Sequence, residues 1–460
     1  MAFYFHRQLS YLTGSILVIA TGVVVAQSAS QKSIAQTSTT PPTSGVTSIN
    51  GAGASSVNVL FVGSGTNYPT ATKGSWFNVF GVGNPPSLNN DVPPQPSPAS
   101  IPAFPNGTYG PVNSTVTFRY ASVGSGTGIT AFTSQTAPLG TTTINTPVSF
   151  AASDDPLSGA VTIAGGPNSG PAVQVPVVGT GIVLSYNASG LTIPSGGLKL
   201  SRATYLAILK GSITNWNDLK IRNDNGGAII AVNKPLVVVR RSDDSGSTFA
   251  LSSHLRTAFG TTSTGWNRGV GKKSIAQPAS GIPNPLPADT VVWPANFQSA
   301  SGGGGVADKI KATAGAIGYV DSATRLAKSL PAALLQNKAG LYVAPTAGSI
   351  GRAFNGVADT DTDARRIKIK VDDPNPSGQT ASTAVYPIVT PTYLLFYSTY
   401  GNSKISGGIR AYINWALAVP ASNSGTSTDP NKIASDRGYA PLPSTIKNSA
   451  RTVVQTYVKP

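Results

Sequence analysis

Arg240, Arg241, Asp243, Ser245, Gly246 and Ser247 stand in one short run, RRSDDSGS, and these residue types can together hold an anion. A guanidinium offers a planar fork of donors that matches two oxygens of a tetrahedral oxyanion. Serine hydroxyls and glycine N–H groups at the start of a helix add donors where the helix dipole is positive. Either arginine could supply the fork. The plain alternative is that Ser and Asp act here only as helix N-caps, which strand-loop-helix junctions commonly need.

The flanking text supplies the elements that position this turn. Leu236, Val237, Val238 and Val239 read as a buried strand, and Leu251, Leu255, Ala258 and Phe259 recur with the spacing of one apolar helix face, closed by Gly260. Three other segments join small residues to hydroxyls or an acid: GAGASS from 51, VGSGTG from 123 and ASDDPL from 152. Alone, Asp154-Asp155-Pro156 reads as a turn. Elsewhere strand-like and helix-like text alternates, in Val175 to Tyr186, ATYLAILKGSITNWND, GVADKIKATAGAIGYVD and Val389 to Tyr397, followed by a helix over Ile409 to Leu417. That alternation predicts an α/β fold with mostly parallel sheets.

Missing residue types remove whole classes of chemistry. The 460 residues include no Cys and no Glu, and all 17 acidic residues are Asp. Disulfides and thiolate metal sites are therefore out. Of two histidines, His6 lies in the N-terminal segment, so any Ser-His-Asp triad would have to use His254, which sits mid-helix and reads as a packed or surface residue. No cofactor and no metal site is expected. Asp359, Asp361 and Asp363 begin like a calcium loop, but Ala364 and Lys370 occupy its glycine and closing-acid positions. Gly269 to Lys273 lacks the glycine spacing of a phosphate loop, and Gly302 to Gly305 read as a flexible joint.

The net charge of +16 suits an anionic partner, but only 11% of residues are charged. In the most basic run, Arg366, Lys368 and Lys370 would share one face of a strand, without the interleaved aromatics of a nucleic-acid platform. Nucleic acid is not an expected partner. At the N-terminus, Arg7 precedes an apolar run from Leu12 to Ala26 and then Gln-Ser-Ala-Ser, the layout of a secretory signal over residues 1–28. Export to the periplasm or cell surface is expected, with an uncleaved N-terminal anchor as the alternative. Residues 29–47 read as a flexible leader and about 83–115 as a Pro-rich insertion.

Taken with ITNWND at 213, VVWP at 291, GAIGYVD at 315, YPIVTPTYLLFY at 386 and GYAPLP at 438, the four segments resemble the phosphate-binding proteins of bacterial phosphate ABC transporters. The resemblance runs in order from about residue 49 to the end. It implies a two-lobed periplasmic-binding-protein fold with two crossover strands and a ligand cleft between the lobes. Lobe 1 would comprise 48–182 and 390–460, and lobe 2 residues 183–389. It also implies a receptor without enzymatic activity that passes inorganic phosphate to a membrane permease. The family's phosphate contacts fall on Ser55, Ser56, Ser125, Asp154, Arg241, Ser245, Gly246 and Ser247, with Asp243 steadying the arginine. Asp244 stands where the family usually has glycine. The competing functions are a phosphatase with a serine nucleophile and a surface or accessory protein that reuses the scaffold.

Overall fold

The computed structural model describes residues 47–63, 75–80, 115–135, 148–419 and 429–460. Apart from positions 47 and 115, the expected signal, leader and Pro-rich insertion lie outside the described residues.

One long buried strand organises the rest. Residues 172–186 are buried at every position, on both faces, as a strand in the middle of a sheet must be. The strands that frame the site are β1 (Thr47–Gly53), β2 (Val116–Ser122), β3 (Phe150–Ser153), β4 (Asn168–Tyr186), β5 (Val237–Arg241), β6 (Gln298–Ala300), β7 (Ala316–Asp321) and β8 (Val389–Tyr400). They lie in the order β6-β5-β7-β4-β8-β3-β1-β2 within a 9-stranded sheet, with Thr162–Ile163 pairing to β4 off this path. Strand β4 changes partner along its length. From Asn168 to Gly181 it runs antiparallel to β8, and from Ile182 to Tyr186 antiparallel to β7.

The expectation of mostly parallel sheets therefore needs correction. β1 is parallel to β2 and β3, and β5 is parallel to β6 and β7, but β4 and β8 pair antiparallel with each other and with their outer neighbours. Alternating strands and helices foretell the parallel sets, because a crossover helix returns the chain to the same end of the sheet. Two long strands that connect those sets have no such signature.

Helices cover the sheet as the apolar periodicity requires. The helices nearest the site are α1 (Ser125–Ser134), α2 (Gly246–Phe259), α3 (Gly302–Ala312) and α4 (Ser322–Ala327). In α2, Leu251 and Leu255 are fully buried, while Ala258 and Phe259 are partly buried, and Gly260 ends the helix with φ of 70°. Only glycine takes that conformation cheaply. The basic run near 366 is not a strand. Arg366 is buried against Asp361, and Ile367 and Ile369 join the core, while Lys370 is exposed. No described helix is long and apolar enough to cross a membrane.

Candidate anion site

Two sets of parallel strands deliver their carboxyl ends to one place, the position where open α/β sheets bind ligands. β1, β2 and β3 end at Gly53, Ser122 and Ser153, and β5, β6 and β7 end at Arg241, Ala300 and Asp321. All but β3 lead within a few residues into a helix or a short helical turn, and β3 leads into the Asp154-Asp155-Pro156 turn, so backbone N–H groups and small side chains gather there.

Asp154 lies at the centre. It follows β3, whose Ser153 is paired with Tyr393 of β8, and this register sets its carboxylate beside Thr392. The Thr392 hydroxyl donates to Asp154 Oδ1 at 2.6 Å, and the Ser56 hydroxyl lies 2.8 and 2.7 Å from Oδ1 and Oδ2. Ser125 Oγ accepts from the Asp154 N–H at 3.2 Å, and the Thr390 hydroxyl donates to the Asp154 carbonyl at 3.3 Å. Asp154 is 2% exposed. Burial pushes its carboxyl above the usual aspartate range, against Thr392, Ser56 and the charge of Arg241, which pull it down. Four of the predicted residues thus act on one another, although up to 98 positions separate Ser56 from Asp154.

Arg241 ends β5 and is also 2% exposed. Its Nε donates to Asp243 Oδ1 at 2.7 Å and its terminal nitrogen pairs with Oδ2. Asp243 in turn accepts from the N–H of Gly302 at 3.0 Å. Burial alone would lower the arginine, but Asp243 more than offsets it, and Arg241 together with the Gly302 N–H holds the Asp243 carboxyl below its ordinary value. Both charges are therefore kept in a dry setting. Of the two candidate arginines, Arg241 is the one whose charge acts on Asp154, whereas Arg240 bonds to the Arg241 carbonyl.

Ser245 caps α2, accepting from the Thr248 N–H at 3.2 Å, so the N-cap reading of this serine is correct. Gly246 opens the helix against the acid. A side chain there would come within 2.3 Å of Ser125 Oγ and 2.7 Å of Asp154 Cβ, which no real atom tolerates. Ser247, the next residue, is 3% exposed. The first turn is held from two sides, by the Tyr120 hydroxyl on the Ala54 carbonyl at 2.8 Å and the Tyr439 hydroxyl on the Ser56 carbonyl at 2.5 Å. Ser55 Oγ accepts from the Gly303 N–H at 3.2 Å. Asp244 packs on α1, where its carbonyl accepts from the Gly126 N–H at 3.2 Å.

Sequence reading missed several of these partners. Gly302 to Gly305 are not a joint; they form the first turn of α3 and bring its N-terminus onto Asp243 and Ser55. A run of glycines preceding an apolar helix face carried that signal. Thr390 and Thr392 were read only as strand, because nothing local tells a buried threonine that meets an acid from one that fills a core. Asp155 turns away to Lys272, 2.8 Å distant, which also meets Asp289 at 2.7 Å. Asp154 also borders a cavity of about 300 Å³ whose walls carry Lys368 and Lys370 together with Asp372.

His254 is far from any nucleophile's task. Its Nδ1 donates to the Asp372 carbonyl at 2.7 Å, and its Nε2 accepts from the Tyr205 hydroxyl at 2.9 Å. Burial lowers it from 6.5 to about 4, so the native protein holds it neutral while the unfolded chain protonates it first. Its contribution to stability is complete above pH 6.5 and is lost as pH falls toward 4. About 2 kcal/mol should disappear by pH 5. Urea unfolding at pH 7 and pH 5 checks this, with a smaller loss expected in His254→Asn.

A model of the PBP superfamily domain matches residues 101–419. The chain belongs to the PBP superfamily. Among curated relatives of this member, the phosphate-binding protein PstS of Pasteurella multocida (strain Pm70) is 28% identical over 342 residues, covering 74% of this chain and 83% of that protein. PstS 3 of Mycobacterium leprae (strain TN) is 27% identical over 338 residues, covering 73% and 78%. The fold matches that of PfluDING, a high-affinity periplasmic phosphate-binding protein solved with phosphate, at a TM-score of 0.55 and 19% identity over 88% of this chain and 93% of that one. A phosphate-binding protein from Stenotrophomonas maltophilia gives 0.55 and 21%, covering 88% and 94%. The family resemblance and the expected α/β periplasmic-binding-protein fold are borne out.

Proposed function

We propose that this PBP-superfamily member is a non-enzymatic receptor for inorganic phosphate, held by Ser55, Ser56, Ser125, Asp154, Arg241, Ser245, Gly246 and Ser247. The observation that carries the proposal is a buried carboxylate and a buried guanidinium at the meeting point of four small-residue turns, with Asp243 orienting the guanidinium. Relatives named as phosphate-binding proteins over most of the chain support the same reading.

The two charges have opposite tasks. Arg241, the hydroxyls and the helix N–H groups attract any tetrahedral oxyanion. Asp154 selects among them. Phosphate near neutral pH keeps at least one proton to donate to a carboxylate, whereas sulfate has none and would set lone pair against lone pair. An unpaired buried polar group can cost discrimination of roughly 10⁴. Charge-assisted hydrogen bonds contribute roughly 1.5 to 3 kcal/mol each, so several sustain micromolar affinity, about −8 kcal/mol, after the costs of desolvation and closure.

Delivery to an ABC-transporter permease and residence outside the inner membrane follow from the family role and from the signal-like N-terminus. The lobes would divide near residues 182 and 390. Support for that division comes from β4, which exchanges β8 for β7 between Gly181 and Ile182, and from β8, which starts at Val389. Closure of the lobes about this pair of strands would bury the ligand. Equilibrium binding of labelled phosphate, with sulfate as competitor, tests the reading. Saturable micromolar binding that sulfate fails to displace is expected; no binding, or equal competition, sinks it.

A further inference from the structure

One buried acid at this site has no task in the reading above. Asp321 ends β7, is 1% exposed, and caps α4 by accepting the Thr324 N–H on Oδ1 at 2.8 Å. Its second oxygen, Oδ2, is buried without a hydrogen-bond partner among the described residues. A cap needs only one oxygen. Leaving the other unanswered in a dry interior is costly, and native proteins seldom do so without a ligand or a proton to fill the place.

That oxygen lies close to Ser55, one of the residues proposed to hold the anion. A side chain built at Gly303 would meet Asp321 Oδ2 at 3.1 Å, Thr324 Oγ1 at 3.5 Å and Ser55 Oγ at 3.6 Å, so the carboxyl and the hydroxyls of Thr324 and Ser55 flank the same backbone position. The Gly303 N–H itself points to Ser55. The charged and titratable groups around Asp321 come from three other elements. Asp154, after β3, disfavours its ionisation, and both Arg241, at the end of β5, and Tyr439, near the C-terminus, sense its charge. Arg241 is already paired with Asp243 and does not neutralise Asp321. Burial accordingly pushes Asp321 from 3.8 up to about 6, against the pull of Thr324.

We propose that Asp321 is a second carboxyl of the anion site and that it shares one proton with the bound phosphate. The proposal rests on the phosphate reading and extends it to the protonation state of the complex. A carboxylate facing a phosphate oxygen is a like-charge pair unless a proton lies between them. Dihydrogen phosphate brings that proton with it. Monohydrogen phosphate does not, and its binding then takes one proton from water onto the Asp321–phosphate pair. Either route gives the same bound state. Asp154 answers a different phosphate proton, and the two acids together favour the more protonated oxyanion.

Calorimetric titration of the full chain with inorganic phosphate from pH 5.5 to 8.5, on the unmodified protein and on Asp321→Asn, tests this. Asparagine caps a helix as well as aspartate does, so α4 is retained, and its amide supplies a donor at every pH. The unmodified protein should lose affinity relative to the variant as pH rises past the carboxyl's own range, by about tenfold per pH unit while the proton must be taken up. Near-equal affinity is expected at pH 5.5, and binding at least ~10-fold tighter in the variant at pH 8.5. Repeating the titration at pH 8.5 in two buffers of different ionisation enthalpy counts protons directly, and uptake approaching one per phosphate is expected of the unmodified protein. Parallel pH profiles would overturn the proposal, as would a count near zero, which decides the question even if the variant does not fold. Failure of the unmodified protein to bind phosphate at any pH would instead overturn the proposed function.

Discussion

Asp154→Asn is expected to admit sulfate. The substitution keeps the volume of a side chain that is 2% exposed and touches Ser56 and Thr392, and leaves the backbone N–H bond to Ser125 intact, so the turn has no reason to collapse. Its chemistry inverts. A carboxylate offers only lone pairs, whereas an amide also donates, and a sulfate oxygen can accept that donor. The phosphate-over-sulfate preference should fall from roughly 10⁴ to about 10 or less. Phosphate affinity itself should change less, because removing one negative charge beside an anion compensates part of the lost hydrogen bond. Competition of sulfate against labelled phosphate measures the ratio. Asp155→Asn is the control, since that carboxylate faces Lys272, and its preference should be unchanged. If Asp154→Asn still excludes sulfate, the assigned selectivity role is wrong.

Arg241→Ala should remove micromolar phosphate binding and also destabilise the fold. The guanidinium is the principal positive charge of the site, and its loss leaves the Asp243 carboxylate, 17% exposed, with backbone N–H groups such as that of Gly302 and without its cation. Breaking a buried pair from one side costs about 3–5 kcal/mol. The two effects separate in a double substitution. Arg241→Ala with Asp243→Asn removes the stranded charge, so stability should largely return while binding stays lost. Urea unfolding and phosphate titration on the three proteins read the two quantities. Equal stability of the single and double variants would show that the pair does not hold the fold together, and retained binding in Arg241→Ala would place the anion elsewhere.

Much of the site was legible because its parts are local. A β-branched run, a turn of Arg, Asp, Ser and Gly, and an apolar helix face from Leu251 to Leu255 lie next to one another in the chain, and each constrains its neighbour's geometry. The four segments could be listed from residue types alone, whereas the choice of Asp154 and Arg241 within them came from the family resemblance. What escaped was whatever depended on a partner far along the sequence. Thr392 reads as strand until β3 lies against β8, and Gly302 reads as slack until α3 meets Asp243. The parallel strands announced themselves through the helices between them, whereas the antiparallel course of β4 and β8 did not, since an apolar run looks the same in either direction.

The order of residues by itself determined the chemistry open to this protein: no thiolate, no glutamate, hydroxyls and glycines beside two adjacent arginines, and an acid preceding Asp155-Pro156. Those are properties of composition and short spacing, which survive without any fold. Tertiary structure alone decided which groups share a dry space. Burial is a collective result of packing, and only the converging strand ends place Ser56 on Asp154 and leave Oδ2 of Asp321 unanswered, 98 residues in one case and a helix cap in the other making the arrangement invisible to local reading. The physical reason is that a carboxylate's selectivity comes from the water and partners it lacks, and those are set by distant parts of the chain.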